Sequence, residues 1–399
     1  GYSQRDAAQY NPRLAMDEEL LWDFLMETQE ETVDYLLKKL SKETIITLIN
    51  KEIVKGGFLF ALKEGVFIEN KQLRLLYRKP ATSFNEKAVQ KYQANRLSVI
   101  EEVVYEEGDR IDLVIFINGL ALFAIELKFN PSGQSVQDAI KQLKARNPKN
   151  RLFRFEQGVL ASFAVDTMEI YMTTQLKGQE TYFLPFNMGK GEGIDMGSGN
   201  PHNPNSVDTE YLWLDVLTKD SILQLIESFI FFELDKNDPK KKTLIFPRYH
   251  QRRAVSRLLE DMKVNHTDSN YLIQHSAGSG KTNTIAWLAH SLVSLHDEQN
   301  QTIVDTVLIV TDRIVVDRQL QEAVKEISHK HGVVKVMGDK ETSSDLADAI
   351  AGNTKIIATT IHKFAQINQS NWMSVGNTAK KKFAILIDEA HSSTTGSYM

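Results

Sequence analysis

The sequence contains no cysteine among its 399 residues, which excludes disulfide bonds, thiol nucleophiles and zinc sites built on cysteine. It also lacks a long apolar run. The longest covers residues 113–125, where Asn118 and Gly119 interrupt it, and it falls short of the roughly 18 to 20 residues of a membrane span. The first residues lack both an initiator Met and an apolar targeting core, and we interpret them as a trimmed or tagged start. We therefore expect a cytoplasmic protein that makes no contact with a membrane.

An excess of positive charge is missing as well. Lys and Arg together number 47 against 52 for Asp and Glu, which gives a formal net charge of -5. No cationic field therefore surrounds the whole chain, and any surface that binds nucleic acid must be local. The composition is otherwise globular, with 42% hydrophobic and 25% charged residues, and the length fits two or three domains.

The hydrophobic pattern changes near residue 240, and we place the domain boundary there. The predicted domains are residues 1–234 and 248–399, joined by a charged linker, 235–247, that contains Pro239. In the first domain, apolar residues recur at helical spacing up to Gly56-Gly57. Strand-like runs then occur at 66–68, 73–77, 98–105, 111–117 and 120–128, and helical patterns at 86–96, 135–146 and 222–234. The pattern predicts an α/β domain in which helices flank a mixed sheet.

The Gly- and Pro-rich residues 188–206 break this regular pattern. We interpret them as a long loop; a nest of backbone amides against a phosphate or a neighbouring domain is the alternative.

The second predicted domain alternates strands and helices. Strands are predicted at 271–274, 306–310, 333–336, 355–359 and 383–389, and helices at 282–295, 315–328 and 345–351. Such alternation predicts a parallel, doubly wound sheet.

A phosphate-binding loop is predicted between the first strand and the first helix of this domain. The segment is Gln274-His275-Ser276-Ala277-Gly278-Ser279-Gly280-Lys281-Thr282. Gly278 and Gly280 let the loop's amides, including that of Ser279, approach phosphate oxygens. Lys281 supplies a charge to the outer phosphates, and Thr282 offers its hydroxyl to Mg²⁺. These five residues are the predicted nucleotide contacts.

A second acidic motif follows downstream. The apolar residues 383–387 deliver Asp388-Glu389-Ala390-His391 to the carboxyl end of a predicted buried strand, where α/β sheets place their ligands. Asp388 is positioned to hold the metal, and Glu389 to polarise the attacking water. Together with the loop, this pair predicts nucleotide hydrolysis.

These two motifs resemble the first RecA-like lobe of superfamily-two helicases and translocases. The resemblance implies that Gln251, in Tyr249-His250-Gln251, reads the adenine of ATP. It also implies that Thr311-Asp312-Arg313 and the segment 359–364 contact the DNA backbone.

The first domain carries a different constellation. Asp112 begins one apolar strand, and Glu126-Leu127-Lys128 ends the next. Two carboxylates and a lysine can bind Mg²⁺, orient water and stabilise a phosphate transition state, and the order Asp…Glu-x-Lys is that of restriction-type nucleases.

The register of these two strands decides whether the carboxylates meet. A two-residue turn at Asn118-Gly119 without further irregularity pairs Asp112 with Ile125 and turns Glu126 to the other face. A three-residue loop over 118–120, or an equivalent bulge, places Asp112 opposite Glu126. We therefore predict the longer loop, which pairs Ile117 with Ala121.

A nuclease pattern followed by a helicase lobe resembles the motor and cleavage subunit of type I restriction enzymes. The resemblance extends over essentially the whole chain and includes three further stretches, 138–143, 183–187 and 199–204. It implies a catalytic Gln142, from the family's Gln-x-x-x-Tyr element. Arg146 stands where the tyrosine is expected, and either it replaces the tyrosine by binding phosphate or this contact is absent. It also implies double-stranded DNA, Mg²⁺ and ATP as ligands, and methylation and specificity subunits as partners. The chain stops before a second RecA-like lobe, so we expect a fragment that binds ATP feebly and does not translocate.

Two alternative functions stay open. The first is a helicase-nuclease of recombinational repair. The second is a motor joined to a catalytically silent DNA-binding or assembly domain. Replacing Lys128 by Ala decides the second case, and we expect little loss of stability because a lysine at a strand end is not expected to be core.

Overall fold

A computed structural model describes residues 1–80, 82–191, 197–235, 238, 241–266, 269–276, 278–311, 318–327, 333–338, 340–367 and 381–389. The chain divides into two compact units. Unit 1 comprises residues 1–80, 84–230 and 244–250, and unit 2 comprises 81–83, 231–243 and 251–399. Within the described ranges, no helix has the length and apolarity needed to cross a membrane.

Unit 1 is built on a mixed sheet of nine strands within the described residues. These strands are β1 (Ser3–Arg5), β2 (Tyr10–Asn11), β3 (Met16–Asp17), β6 (Leu97–Glu106), β7 (Asp109–Ile117), β8 (Leu120–Leu127), β9 (Ala161–Val165), β10 (Ile170–Thr173) and β11 (Leu184–Pro185), and a separate hairpin is formed by β4 (Val66–Ile68) and β5 (Lys71–Leu73). The order is β1-β6-β7-β8-β9-β10-β11, with β3 joining β2 to β8. The β1/β6 and β8/β9 pairs are parallel and the other neighbours antiparallel, so the predicted mixed sheet is confirmed.

The helices of unit 1 begin at polar caps. They are α1 (Glu18–Leu37), α2 (Lys42–Gly56), α3 (Phe58–Glu64), α4 (Glu86–Gln93), α5 (Val136–Ala145) and α6 (Lys219–Gln224). Asp17 and Ser41 accept hydrogen bonds from the first turns of α1 and α2. The predicted stop at Gly56-Gly57 ends α2, but α3 begins directly at Phe58. The apolar side of α5, with Val136, Ala139 and Leu143, packs into a core shared with the sheet.

The turn between β7 and β8 is shorter than predicted, and a bulge in β8 sets the register in place of the longer loop. Ile117 pairs with Leu120, so the loop contains only Asn118 and Gly119, and the predicted three-residue loop is wrong. Both turn residues have positive φ, 49° and 82°, as expected of a tight hairpin turn at an Asn-Gly sequence. One strand position later the register shifts between Ile115 and Phe116, which leaves Leu122 as an extra residue on β8. This bulge restores the register that the longer loop was meant to provide, because Leu113 faces Ile125.

Two further boundaries differ from the sequence pattern. The run 73–77 contributes only Leu73 to a strand, because Arg74, Tyr77 and their neighbours bond to side chains such as Gln29 and Asn95 instead of a ladder. The predicted helix 222–234 ends at Phe229 and is followed by β12, Phe231–Leu234. In the Gly- and Pro-rich segment, buried Asn200 accepts a bond from the Met188 amide and donates to the Met168 carbonyl, while residues 192–196 lie outside the described part.

Unit 2 contains a four-stranded sheet in the described residues. Its elements are β13 (Lys242–Ile245, shared with unit 1), α7 (Tyr249–Asn265, begun in unit 1), α8 (Lys281–Leu292), β14 (Thr306–Thr311), α9 (Arg318–Ile327), β15 (Val334–Val336), α10 (Ser343–Ala351), β16 (Ile356–Thr360), α11 (Ile361–Ala365) and β17 (Phe383–Asp388). The sheet order is β15-β16-β14-β17 and every pair is parallel, which confirms the predicted parallel arrangement.

The predicted strand 271–274 is not a strand. Tyr271, Leu272 and Ile273 are 40%, 87% and 37% exposed and carry no ladder bonds in the described structure. A run this short has no periodicity that separates strand from extended loop, and pairing depends on a neighbour that only the tertiary structure supplies.

Candidate functional site

The ends of β7 and β8 bring the three predicted nuclease residues together. The Lys128 Nζ lies 3.2 Å from Glu126 Oε1 and 3.7 Å from Asp112 Oδ2. The side chains of Lys128 and Glu126 are 8% and 2% exposed, whereas that of Asp112 is 28% exposed. Lys128 was not expected to belong to the core, and this expectation is wrong for its side chain, which lies largely buried between two carboxylates.

Backbone hydrogen bonds fix the Asp112 carboxylate and the end of β8 relative to the sheet. The Leu127 amide donates to Asp112 Oδ2 at 2.7 Å, and the Lys128 amide donates to the Val165 carbonyl on β9 at 2.8 Å. Continuing the register past Leu113 and Ile125 sets Asp112 against Glu126, as the bulge at Leu122 requires. The site therefore depends on three strands and on one extra residue in β8.

Arg146 completes the charged cluster from the end of α5. Its Nη2 lies 3.1 Å from Glu126 Oε2, and its Nη1 lies 3.1 Å from Asp109 Oδ1 and 3.3 Å from the Tyr105 hydroxyl. The sequence pointed to Arg146 as a departure from the expected tyrosine, without indicating its ion pair with Glu126. Its ion pair with Glu126 spans 20 positions, and no local spacing signals it.

Burial governs the electrostatics of Glu126. Desolvation raises the pKa of its carboxyl, and the charge of Asp112 raises it further. The cations of Arg146 and Lys128 act in the opposite direction and favour the ionised form. A further cation close to Glu126 would act in the same sense.

The donor set fits one Mg²⁺ ion. Mg²⁺ in enzymes is commonly held by one or two carboxylates, with water and substrate phosphate completing its shell. Asp112 and Glu126 converge on a single amine, which is a position that a cation already occupies. Among the residues that the structure describes, no group of three or more His, Asp or Glu side chains is placed to hold a metal. The site thus offers two protein oxygens and leaves the other positions to solvent or substrate.

Gln142 does not join this cluster. It is exposed on α5, and within the described residues no hydrogen bond links its side chain to Asp112 or Glu126.

A cavity of about 580 Å³ opens beside Lys128 within unit 1. Its walls are mainly apolar, with Ile125, Leu127 and Trp213 among them. Asp166 also lines it, but that carboxylate accepts four hydrogen bonds, including those of Asn130 and the first amide of α5. The carboxylate of Asp166 is therefore already satisfied by the protein.

The phosphate loop of unit 2 is shaped by two glycines with left-handed backbones. Gly278 and Gly280 have φ of 72° and 84°, and Gly280 is the cap of α8. Ser279 is buried, and Thr282 lies in the first turn of α8. Gln251, buried on α7, donates from Nε2 to the carbonyls of Ser279 and Gly280 at 3.2 and 2.9 Å. Gln251 therefore braces the loop. Ala277 lies outside the described residues.

The acidic strand end meets this loop through one ion pair. The Lys281 Nζ lies 2.7 Å from Glu389 Oε1, and both side chains are about one third exposed, at 36% and 31%. Asp388 ends β17 next to Thr311 of β14. The structure thus brings Lys281 and the Asp388-Glu389 pair to one edge of the sheet.

The predicted DNA-contact segments also lie at carboxyl ends of strands. Thr311 ends β14, and Thr359 and Thr360 end β16, where Thr360 caps α11. Lys363 points its amine to the Gly338 carbonyl. Asp312, Arg313, Ala390 and His391 lie outside the described residues.

Two family models match the chain, one in each half. A model described as type I restriction enzyme R protein N terminus matches residues 8–181, and one described as SWI2/SNF2 ATPase matches residues 250–399. The first range includes Asp112, Glu126 and Lys128, and the second includes the phosphate loop. The first half of the chain is therefore similar to the N-terminal part of type I restriction enzyme R proteins, and the second half to SWI2/SNF2 ATPases.

The curated relatives of this chain have names that agree with these matches. It is 25% identical to the MjaVIIIP type I restriction enzyme endonuclease subunit of Methanocaldococcus jannaschii, in an alignment that covers 100% of this chain and 38% of the relative. It is 26% identical to the SsaAORF53P endonuclease subunit of Staphylococcus saprophyticus, covering 76% and 30% respectively. It is 24% identical to the HindI endonuclease subunit of Haemophilus influenzae, covering 92% and 34%. The chain thus spans between 30% and 38% of the length of these relatives.

Proposed function

We propose that the protein is the ATP-dependent, DNA-translocating and Mg²⁺-dependent double-strand cleaving subunit of a type I restriction-modification complex. Residues 1–234 form a restriction-endonuclease-like domain, 235–247 a linker, and 248–399 the first RecA-like lobe of the motor. Double-stranded DNA is the substrate, and methylation and specificity subunits are the partners.

One observation carries the proposal. The charged groups of Asp112, Glu126 and Lys128 converge at the end of β8 in unit 1. The phosphate loop lies in unit 2, far from these residues in sequence. A buried acid-acid-lysine cluster and a Gly-Ser-Gly-Lys-Thr loop in one chain are the two parts needed to cut DNA and to use ATP. The names of the relatives, all endonuclease subunits of type I restriction enzymes, support this pairing.

In the nuclease domain, Asp112 and Glu126 would hold Mg²⁺. When bound, the ion supplies an activated water and neutralises charge on the scissile phosphate. Lys128 lies against both carboxylates and is placed to donate to the phosphate oxygen on which negative charge develops. Gln142 is exposed on α5, so its proposed catalytic contribution requires direct contact with DNA.

In the motor lobe, the amides of Gly278, Ser279 and Gly280 would cradle the phosphates of ATP. Thr282 and Asp388 would hold its Mg²⁺, and Gln251 would read the adenine. Lys281 must exchange Glu389 for a phosphate oxygen, which frees Glu389 to orient water. ATP binding and activation of Glu389 are thereby coupled.

The test uses the complete subunit, assembled with its methylation and specificity subunits, on unmodified DNA with ATP and Mg²⁺. Lys128→Ala should abolish cleavage while DNA-stimulated ATP hydrolysis continues. Lys141→Ala, a control that removes an exposed lysine from α5, should cut like the wild type.

Unchanged cleavage by Lys128→Ala would contradict the nuclease assignment and favour a silent DNA-binding or assembly domain. Cleavage that proceeds without the specificity and methylation subunits would instead favour a repair helicase-nuclease.

A further inference from the structure

The carboxylate of Glu126 is divided between two cations. Its Oε2 receives the Arg146 Nη2 at 3.1 Å, and its Oε1 receives the Lys128 Nζ at 3.2 Å. A carboxylate held in this way presents a single oxygen toward Asp112. Rotation that offered both oxygens to an ion would break the bond to Arg146.

The two cations are not equally free to move. Among the described residues, the Lys128 amine is otherwise tied only to Asp112 and to the carbonyl of Leu127, both at the site itself. Arg146 is anchored away from the site by Asp109 and by the Tyr105 hydroxyl, and its guanidinium carbon lies 5.7 Å from the centre of the Tyr105 ring. Its backbone ends α5, so the helix also fixes the origin of the side chain. When substrate or metal enters, Lys128 is therefore the group that moves and Arg146 the group that stays.

The ring of Tyr105 explains how Arg146 is accommodated beside Glu126. The family pattern expects a tyrosine four residues after Gln142, and this chain has Arg146 instead. Tyr105, from β6, lies against the guanidinium and is itself buried. The cluster thus contains a tyrosine supplied by the sheet, with an arginine from the helix bridging it to the acid.

We propose that Arg146 is a positioning residue for the metal ligand Glu126. It holds Oε2 in a lasting ion pair, so that Oε1 alone faces the ion that Asp112 shares. This inference rests on the proposed nuclease function. Partners that orient a metal ligand typically contribute 10- to 100-fold in metal affinity, and we expect an effect of about this size.

The test measures Mn²⁺ binding to the full chain by electron paramagnetic resonance, without nucleotide or DNA. Arg146→Met should weaken binding about 10- to 100-fold, because Glu126 loses its fixed orientation. If Arg146 were only a counter-charge, its removal would strengthen binding, since a positive charge would leave the site. Equal or tighter binding by Arg146→Met therefore overturns the proposal.

Arg146→Lys keeps the charge and most of the volume, and so keeps the test valid if the Met variant does not fold. Loss of the two-pronged donor should still weaken Mn²⁺ binding, by less than in Arg146→Met. Unchanged affinity in Arg146→Lys would contradict the proposal. Lys141→Met removes an exposed charge from the same helix and should have no effect.

Asp112→Asn distinguishes a failure of the metal site from a failure of the positioning role of Arg146. Mn²⁺ binding that Asp112→Asn leaves unchanged would overturn the metal site and with it the proposed nuclease function. Binding that depends on Asp112 but not on Arg146 would overturn only the positioning role.

Discussion

The lysines of the two candidate sites have different surroundings. Lys128 in unit 1 is 8% exposed and lies between carboxylates from two strands, whereas Lys281 in unit 2 is 36% exposed and pairs with one carboxylate. The loop residues next to Lys281 are consecutive in sequence, and Gln251 and Glu389 join them from α7 and the end of β17. The residues around Lys128 come from β6, β7, β8 and the end of α5. Where the charges are largely buried, as around Lys128, the chemistry and the stability of a site cannot be separated. A lysine on a partly exposed loop, as at Lys281, carries its chemistry at little structural cost.

The largest expected effect concerns the turn that sets the register in unit 1. A Cβ on Gly119 would lie 2.3 Å from the Asp17 carbonyl oxygen and 2.6 Å from the Leu21 amide, at a φ of +82°. Gly119→Ala should therefore lower the free energy of unfolding of unit 1 by at least about 3 kcal/mol, from backbone strain and overpacking together. Chemical denaturation followed by circular dichroism measures it.

Gly108→Ala is the matched control for this turn. Gly108 has nearly the same φ, +81°, in the turn between β6 and β7, but nothing lies within 4 Å of its added Cβ. It should cost only the backbone strain, about 1 kcal/mol. Equal losses in the two variants would mean that the close approach at Gly119 is absent.

The second prediction concerns the buried lysine. Lys128→Ala should lower the free energy of unfolding by about 2 to 3 kcal/mol, because it leaves Asp112 and Glu126 close together with one cation fewer. Exposed Lys141→Ala should change it by less than about 0.5 kcal/mol. Denaturant midpoints compare them, and a Lys128→Ala protein as stable as its control would remove the contrast between the sites.

The third prediction concerns the loop lysine. Lys281→Ala should reduce DNA-stimulated ATP turnover in the complete subunit by at least about 100-fold, because it removes the positive charge that would contact the transferred phosphate. The free energy of unfolding should change by less than about 1 kcal/mol, because the Lys281–Glu389 pair is partly exposed. Lys263→Ala, exposed on α7, is the control. A large loss of stability in Lys281→Ala would show that Lys281 contributes to the fold of unit 2 as much as Lys128 does to that of unit 1.

The smallest effect concerns the partly buried Lys63, whose amine has a backbone carbonyl as its hydrogen-bond partner among the described residues. Lys63 donates to the Ile230 carbonyl at 2.7 Å, and burial, with the charge of Arg78, lowers the pKa of its amine to about 8. A lowered pKa means that the unfolded chain binds more protons above pH 8, so the stability of the native state rises with pH toward the ordinary pKa near 10.5. Between pH 7 and pH 9, the wild type should gain about 1 kcal/mol relative to Lys63→Met.

Denaturant unfolding at the two pH values checks this, and Lys87→Met, exposed on α4, should follow the wild type. A wild type and Lys63→Met that respond identically to pH would mean that Lys63 is not held in a desolvated position.

Local patterns predicted most elements of the fold. The strands β6 to β8, helix α5, and the parallel strands of unit 2 lie within a few residues of their predicted bounds, because apolar periodicity and turn residues act over short distances. The pattern was wrong where the outcome depended on partners distant in sequence. The 271–274 run has no ladder, 222–234 is not one helix, and 73–77 gives way to side-chain bonds with Gln29 and Asn95.

For the nuclease cluster, residue types and order were enough to name Asp112, Glu126 and Lys128, but not to choose the register. The Asn-Gly turn alone leads to the unproductive pairing. The bulge at Leu122 corrects it, and nothing in the apolar run 120–125 marks where the extra residue lies. Gln142 was named from the family pattern, and the described structure leaves it outside the cluster.

The amino-acid order by itself determined the two-part α/β organisation, the phosphate loop and the identity of the three candidate nuclease residues, because each depends on spacing along the chain. Only the tertiary structure decided that Lys128 is buried, that Arg146 holds one oxygen of Glu126, and that a bulge sets Asp112 against Glu126. These are interactions between groups far apart in sequence. Their energies depend on distance and burial, which exist only once the chain has packed.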